Sequence, residues 1–477
     1  MLPDDALLEV FNFYVELSED EDIEAWITLV HVCQQWRCIV FTSPRCLNLQ
    51  LLCTRYRPVR KMLGVWPALP IAVRDDYFGD LQMEDVDNIV AALEHNDRIY
   101  VIDLWSDLDI ERHAAKLSVM HVPFPTLKIL SMQTYRGTVP VLPDSFLGGS
   151  APRLQSFYLC GIPFLGLPKL LLTTTDLVKL TLWRIPHNGY ISPSAMVTCL
   201  SSLIRLQSLI LGFRSPLSRP DRGHRRPRPP PLTRTVLPAL TYLMFRGISE
   251  YLEDLVMRID TPHLHQIDIT FFNQLIFDTP RLRQFLGHTE ELESPDTAHV
   301  IFDSLGVQVR LSLPFGEGFK PVDDNDDGRL LLRIFCRELD WQLSSVAQVC
   351  NSSLPLFSTL EDLYVHESSY SATQFQVDYD MENMQWLELF HPFTTVKNLY
   401  LTNESALLVV PALQELARES ITEELPALQN IFLENLQPPA PIQEAISQFV
   451  AARQLSGHPI VIHSWERWEN VRRVDDR

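Results

Sequence analysis

The feature that most constrains the fold is a short apolar pattern that recurs along most of the chain. Each copy has an apolar residue, two other residues, a second apolar residue, one further residue and a third apolar residue. In one copy these positions hold Leu154, Phe157 and Leu159. The pattern occurs in nine segments, at 125–133, 152–163, 175–186, 204–213, 238–248, 262–272, 358–368, 394–404 and 426–436.

The spacing within each copy predicts a β-strand that is entered from a turn. The second and third apolar residues are two positions apart, which is the side-chain period of a strand, so both point to one face. Segments 193–206, 249–259 and 411–421 lie between copies and have the composition of helices. Stacked strand–helix units bury one continuous core along a parallel sheet. We therefore predict an α/β solenoid.

The distances between copies indicate an irregular repeat. The residues that open three successive copies, Leu154, Leu177 and Leu206, are 23 and then 29 positions apart. Both distances lie within the roughly 20 to 29 residues of leucine-rich repeats. Leu206 and Leu240 are 34 positions apart, and the asparagine ladder of standard leucine-rich repeats is missing from the sequence. The pattern thus favours a body that is only similar to leucine-rich repeats.

Two polar segments interrupt the repeats. Residues 214–234 hold seven arginines and many prolines, and such a composition buries too little apolar area to become ordered. We expect a flexible surface loop there; the alternative is a nuclear-targeting patch or a site for an acidic partner. Residues 321–329 hold four aspartates without the downstream glutamate of an EF-hand, which predicts an acidic turn.

The front of the chain has helical spacing instead. One face of a first helix carries apolar residues at Leu7, Leu8, Phe11 and Val15, and Pro3 suits its first turn. A second apolar series follows in steps of three and four, at Trp26, Leu29, Cys33, Trp36 and Val40, and we predict one helix over the segment 29–41. Two such helices are too small to form a useful core. We expect another protein to cover their apolar residues; the alternative is that they cap the first repeat.

The segments 2–11 (LPDDALLEVF) and 29–41 (LVHVCQQWRCIVF) together resemble an F-box, in which a leucine–proline opening precedes a V-C-x-x-W-R run. The resemblance implies a helical module over 1–45 that binds the Skp-type adaptor of the cullin-based SCF ubiquitin ligase. The residues it assigns to adaptor binding are Leu2, Pro3, Leu7, Leu8, Phe11, Val32, Cys33 and Trp36. The acidic spacer 16–26 is longer than in most F-boxes, and we expect it to loop outward.

The strings WPALPIAV (66–73) and VLPDSFLGGSAPRL (141–154) are similar to fungal F-box proteins with leucine-rich-repeat-like bodies. This resemblance implies an adaptor module followed by a recognition scaffold. The predicted organisation is an F-box-like module at 1–45, a linker and entry to the repeats at 46–95, repeats at 96–213, the Arg/Pro-rich loop at 214–236, repeats at 237–465 with an irregular insertion around 285–355, and a C-terminal tail at 466–477.

Charge and motifs narrow the function classes. The formal net charge of −20 argues against nucleic acid as a partner, and no apolar stretch approaches the roughly 20 residues that span a membrane. The front of the chain lacks the features of a secretory leader, so we expect a cytoplasmic or nuclear protein. The eight cysteines include no C-x-x-C pair, which favours reduced thiols and no metal site. We expect no cofactor.

The residue between the last two apolar positions of each copy is predicted to point away from the core. This outward set is Ser131, Tyr158, Thr181, Ile210, Met244, Asp268, Tyr364, Tyr400 and Phe432. Aromatic residues are enriched in interface anchors, so we hypothesise that Tyr364, Tyr400 and Phe432 bind a protein client. The alternative is that these rings pack on one another because aromatic residues favour strands.

The leading interpretation is a non-catalytic substrate-receptor subunit of an SCF ubiquitin ligase. One alternative is a leucine-rich-repeat-like interaction scaffold unconnected to ubiquitin. The other is a hydrolase. Its site would have to be formed by residues that are far apart in the sequence, because no P-loop, dinucleotide-binding, zinc-protease or nucleophile-elbow motif is present in the sequence.

Overall fold

The computed structural model describes residues 3–17, 24–44, 47–75, 84–105, 116–134, 141–216, 234–274, 276–289, 292, 295–312, 329–353, 359–367, 384–403, 405–406, 409–410, 412–413, 425–434 and 440–465. The chain divides into two compact units, one comprising Met1–Ser208 and the other comprising Leu209–Pro216 and Gly223–Arg477. Most of the arginine-rich loop, the acidic run at 321–328, most of the predicted helix at 411–421 and the tail at 466–477 lie outside the described residues.

The first unit begins with three helices, α1 (Asp4–Leu17), α2 (Ala25–Val30) and α3 (Gln34–Thr42). The prediction of one helix over 29–41 is wrong, because the chain turns between α2 and α3. Cys33 is extended there, with φ −159° and ψ 171°. Its Sγ accepts a hydrogen bond from the backbone N–H of Trp36 at 3.5 Å, so Cys33 caps α3 rather than extending α2.

The rest of the first unit alternates strands and helices. Its elements are β1 (Leu51–Cys53), α4 (Val59–Val65), β2 (Ile71–Asp75), α5 (Glu84–Leu93), β3 (Ile99–Trp105), β4 (Ile129–Gln133), β5 (Ser156–Cys160), α6 (Leu167–Leu171), β6 (Lys179–Ile185) and α7 (Pro193–Leu200), with 3₁₀ turns at Phe146–Gly149 and His187–Gly189. Strands β1 to β6 pair in chain order, and each pair is parallel. The segment 46–95, predicted as a linker and entry to the repeats, contributes β1 and β2 to the sheet.

The second unit continues the same scheme with one interruption. Its elements are β7 (Ser208–Phe213), β8 (Thr235–Val236), β9 (Tyr242–Gly247), α8 (Ser249–Val256), β10 (Ile259–Asp260), β11 (Gln266–Phe272), α9 (Pro280–Gly287), β12 (Thr297–Asp303), β13 (Gly306–Ser312), β14 (Leu330–Phe335), α10 (Leu339–Ser353), β15 (Asp362–Glu367), α11 (Met384–Phe390), β16 (Asn398–Leu401), β17 (Asn430–Leu433), α12 (Ala440–Leu455) and β18 (Val461–Ser464). The strand order is β7-β9-β11-β14-β13-β12-β15-β16-β17-β18, and β8 and β10 form a separate parallel pair. The pairs β12–β13 and β13–β14 are antiparallel, and they form the irregular insertion.

The predicted strand positions are confirmed. All nine apolar segments contain a strand, and the second and third apolar residues of each copy face the core, as Phe157 and Leu159 do. Just before several of these strands, a backbone N–H bonds to the neighbouring repeat, as from Gln155 to the carbonyl of Lys128 and from Gln429 to that of Lys397, both at 2.8 Å. Each buried leucine stabilises the stack by about 1.5–3 kcal/mol. The fold is an α/β, leucine-rich-repeat-like stack.

None of the helices in the described part of the chain is both long and apolar enough to cross a bilayer.

Candidate interaction surfaces

The apolar face of α1 is covered by this chain itself. Phe11 is 0% exposed, and Leu7 is also buried. They share an apolar cluster with Trp26 of α2 and with Leu49 and Leu51 at the start of the sheet. The expectation that another protein covers these residues therefore needs correction for Leu7 and Phe11, whose side chains hold the module together and are closed to a partner.

Two buried polar contacts join the helices to the first strand. The Nε1–H of Trp26 donates to the carbonyl of Gln50 at 3.0 Å, and its ring lies edge-on to Trp66 at 5.4 Å between centroids. The carboxylate of Glu24 accepts from the N–H of Leu52 at 3.0 Å and pairs with Arg57. The side chains of Trp26 and Glu24 are buried. Removing the hydrogen-bond partner of either one would therefore leave a buried polar group unpaired and lower the stability of the fold.

The remaining predicted adaptor residues lie at or near the surface, except that Leu2 falls outside the described residues. Pro3 and Cys33 are exposed, Val32 is 56% exposed, and Leu8 and Trp36 are partly buried. Gln35 donates from Nε2 to Oδ1 of Asp4 at 2.9 Å, which ties the first turns of α1 and α3 together. We call Pro3, Val32 and Cys33, which lie within three residues of Asp4 or Gln35 in the sequence, the front patch.

A second exposed apolar set lies on α1 and was missed by the sequence analysis. Val10, Phe13 and Tyr14 are 54%, 62% and 42% exposed, and their spacing of three and four residues places them on one side of the helix. The sequence does show that apolar residues cover more than half of the circumference of α1, and not one face alone. Periodicity alone does not tell which part of so wide an apolar surface becomes buried.

The three aromatic residues predicted to bind a client do lie in one row. Tyr364, Tyr400 and Phe432 are paired across β15, β16 and β17. Their rings stack, with 4.1 Å and 4.4 Å between successive centroids and angles of 7° and 11°. His299 stacks on Tyr364 at 4.5 Å, and His463 stacks on Phe432 at 4.9 Å. We call these five residues the aromatic row.

The other outward positions also align within each unit. In the first unit Ser131, Tyr158 and Thr181 are direct cross-strand neighbours. In the second unit Met244 and Asp268 are neighbours, and Asp268 accepts a hydrogen bond from the Tyr242 hydroxyl at 2.8 Å. The register predicted from the repeats is thus correct, and the five stacked rings of the aromatic row lie on β12 and on β15 to β18.

The aromatic row is less open than its outward position implies. Tyr364 is only 8% exposed, whereas Tyr400 and Phe432 are partly exposed. The ring of Trp465, just after β18, is nearly perpendicular to the rings of Tyr364 and Tyr400, at 6.0 Å and 5.8 Å between centroids. Its Nε1–H donates to the carbonyl of Leu401 at 3.1 Å. The repeat pattern does not predict this position of Trp465, because Trp465 lies beyond its last copy.

A row of polar side chains runs beside the aromatic row. Asn398 donates to Asp362 Oδ1 at 2.7 Å, and Asn430 donates to Asn398 Oδ1 at 2.7 Å. Nε2 of His463 lies 3.2 Å from Asn430 Oδ1. The signal for this row was in the sequence, since Asp or Asn stands just before the second apolar residue in three successive copies.

Burial shifts the pKa of three members of the aromatic row, His299, Tyr364 and Tyr400, toward their neutral forms. Burial, then the charges of His366 and Arg310, lower the pKa of His299 to about 3. Burial also raises the pKa of Tyr364, Tyr400 and Asp362, with the Asp362 charge adding to the shift at Tyr400. The tyrosine hydroxyls therefore stay protonated and His299 stays neutral at neutral pH, so these three residues offer aromatic edges and hydrogen-bonding groups rather than charge.

Two buried cysteine thiols are held in their protonated form. Cys53 and Cys199 are buried, and burial raises the pKa of their thiols to about 12 and about 11. At neutral pH both are protonated, which is the unreactive form. Within the described ranges, no three His, Cys, Asp or Glu side chains are grouped closely enough to hold a metal ion.

No family model matches the chain, and no curated protein matches it either. Among solved structures, it is similar to the leucine-rich repeat-containing protein LegL7 from Legionella pneumophila, with 12% identity over 87% of this chain and 99% of that one, and a TM-score of 0.28. At so low a TM-score the fold assignment rests on the strand register of this chain alone.

Proposed function

We propose that this chain is the substrate-receptor subunit of an SCF-type ubiquitin ligase. Its N-terminal helices would bind the Skp-type adaptor, and through it a cullin, while the sheet of the second unit holds a protein client. The subunit itself would be non-catalytic and would act in the cytoplasm or nucleus. Such a bridge replaces a bimolecular encounter between enzyme and client by a local one, at millimolar effective concentration.

The observation that carries the proposal is the front patch. Val32 is a large apolar side chain exposed in the turn before α3, beside Pro3 and Cys33, within the stretch that resembles an F-box. The Asp4–Gln35 hydrogen bond holds the patch in one place. An exposed apolar patch of sufficient area marks a protein-binding surface, and the residues of the front patch are among those that the F-box resemblance assigns to adaptor binding.

The test is capture of a recombinant Skp-type adaptor by the full-length chain. Val32→Glu places a charge in the proposed interface, and we expect it to reduce adaptor binding ten-fold or more. Val65→Glu is the matched control, because Val65 is 70% exposed on α4, outside the module. This control should bind adaptor as the unmodified chain does, and both variants should melt normally.

Trp36→Ala is a poorer test, because the Trp36 ring packs on Phe11 at 4.7 Å and its loss also disturbs the module. Equal adaptor binding by the unmodified chain and by Val32→Glu would refute the assigned surface. An unmodified chain that captures no adaptor at all would refute the ligase function.

The second candidate is an interaction scaffold unconnected to ubiquitin. The burial of Leu7 and Phe11 against Leu49 and Leu51 favours it, because helices with this packing also serve to cap the first strand of the sheet. A stack of this leucine-rich-repeat-like kind is suited to binding proteins in either case. The adaptor experiment separates the two candidates.

A further inference from the structure

We propose that the aromatic row is a binding site for a tryptophan side chain presented on an extended protein segment, and that the chain's own Trp465 occupies it in this conformation. The inference rests on the proposal that the second-unit sheet holds the client. To that proposal it adds that the client presents a tryptophan side chain. It also implies that a client has to displace Trp465 in order to bind.

The geometry of the row determines which groups can bind it. Stacking against neighbours occupies the ring faces of Tyr364 and Tyr400, so these rings present their edges outward. Ring edges carry partial positive charge and prefer the negative face of another aromatic ring. A ligand for this surface therefore needs an aromatic face, and Trp465 meets the two tyrosines at interplanar angles of 75° and 82°.

The backbone beside the row supplies the polar part of the site. The carbonyl of Leu401 accepts from the N–H of Glu434 at 3.1 Å and uses its second lone pair for the indole N–H of Trp465 at 3.1 Å. The N–H of Trp465 donates to the carbonyl of Leu433 at 3.0 Å. The indole is thus held by an N–H donor as well as by its face, which distinguishes tryptophan from phenylalanine.

The backbone contact also defines how the side chain is presented. The Trp465 N–H bond follows directly on the parallel pairing of β17 with β18, so the residue is delivered from an extended strand. A client segment that places a tryptophan here has the same requirement. Because Trp465 is tethered, its effective concentration is of millimolar order, and a free competitor binds weakly until Trp465 is displaced.

The experiment uses the full-length chain and a defined probe, N-acetyl-5-fluorotryptophanamide, followed by ¹⁹F NMR line broadening. Trp465→Gly vacates the site, and we expect this variant to bind the probe at least ten-fold more tightly than the unmodified chain. The double variant W465G/Y400L, which also removes one ring of the row, should lose that gain. N-acetyl-phenylalaninamide, which lacks the indole N–H, should compete poorly.

Two results would overturn the inference: a W465G chain that melts normally yet binds no probe, or equal binding of the probe to W465G and to the unmodified chain.

If W465G melts far below the unmodified chain, Trp465→Phe replaces it, because this variant keeps a ring but lacks the indole N–H. Probe binding to W465F that is no tighter than to the unmodified chain then counts against the site. Adaptor capture by W465G is measured in parallel, so that failure here is distinguished from failure of the ligase proposal.

Discussion

His299 shows, at the scale of one residue, how the sheet controls charge on its outer face. The imidazole stacks on Tyr364, lies edge-on to His366 at 5.9 Å between centroids, and is the cross-strand neighbour of Arg310. Burial and these two neighbours all disfavour the protonated ring, so its pKa falls to about 3. A neutral His299 can stack on a tyrosine without bringing a charge into the row.

This pKa predicts a loss of stability in acid. The pKa of histidine in an unfolded chain is about 6.5, so the unfolded state takes up a proton first as the pH falls. The contribution of His299 to the free energy of unfolding is therefore fully present above about pH 6.5 and declines below it, by about 1.4 kcal/mol at pH 5.5.

His299→Gln should remove this part of the decline. Urea unfolding at pH 7.5 and 5.5 measures it, with His458→Gln as an exposed control; an H299Q chain with the unmodified pH dependence would contradict the prediction.

At the scale of elements, one hairpin lets the parallel stack continue across the irregular insertion. Asp303 Oδ1 accepts from the N–H groups of Leu305 and Gly306, at 2.6 Å and 2.8 Å, and the chain reverses from β12 into β13. Strand β13 pairs antiparallel on both sides, so β14 joins β11 and β12 joins β15 in parallel. The sequence showed an irregular region but not its antiparallel pairing, because the side-chain period of two is the same in both directions.

Gly306→Ala should weaken this hairpin. A Cβ at Gly306 would lie 2.1 Å from the carbonyl oxygen of Ile334 on β14, and a backbone atom cannot move aside cheaply. We expect a loss of about 1–3 kcal/mol in the free energy of unfolding, measured by denaturant titration. Gly64→Ala is the control: it lies in α4 with nothing within 4 Å and should stabilise by about 0.5–1 kcal/mol. A G306A chain as stable as the unmodified one would refute this account of the turn.

At the scale of the whole molecule, the N-terminal helices are part of the body of the first unit. Trp26, Leu49, Leu51 and Leu69 belong to one apolar cluster, so the N-terminal helices cannot be removed without uncovering the start of the sheet. The sequence indicates two separate parts, the helices and the sheet, because their apolar periodicities differ. Apolar residues from both patterns nevertheless pack together, since burial depends on area and not on the element that supplies it.

Deleting residues 1–44 should therefore destabilise the remaining chain, whereas Val32→Glu should not. Each large apolar side chain that loses its cover costs about 1.5–3 kcal/mol, and we expect the melting temperature to fall by more than about 5 °C. Thermal unfolding of the truncated chain and of V32E measures the difference. A truncated chain that melts like the full-length one would show that the helices are a detachable module.

The sequence by itself determined where the strands of the repeats lie and which of their residues face outward, because side-chain alternation is a property of each strand. It also placed Tyr364, Tyr400 and Phe432 in one row, since the copies share a frame. Tertiary structure alone decided that Phe11 is buried while Phe13 is exposed, and that Trp465 covers the row. These outcomes depend on contacts between distant parts of the chain, whose entropic cost is offset only once the whole stack has assembled.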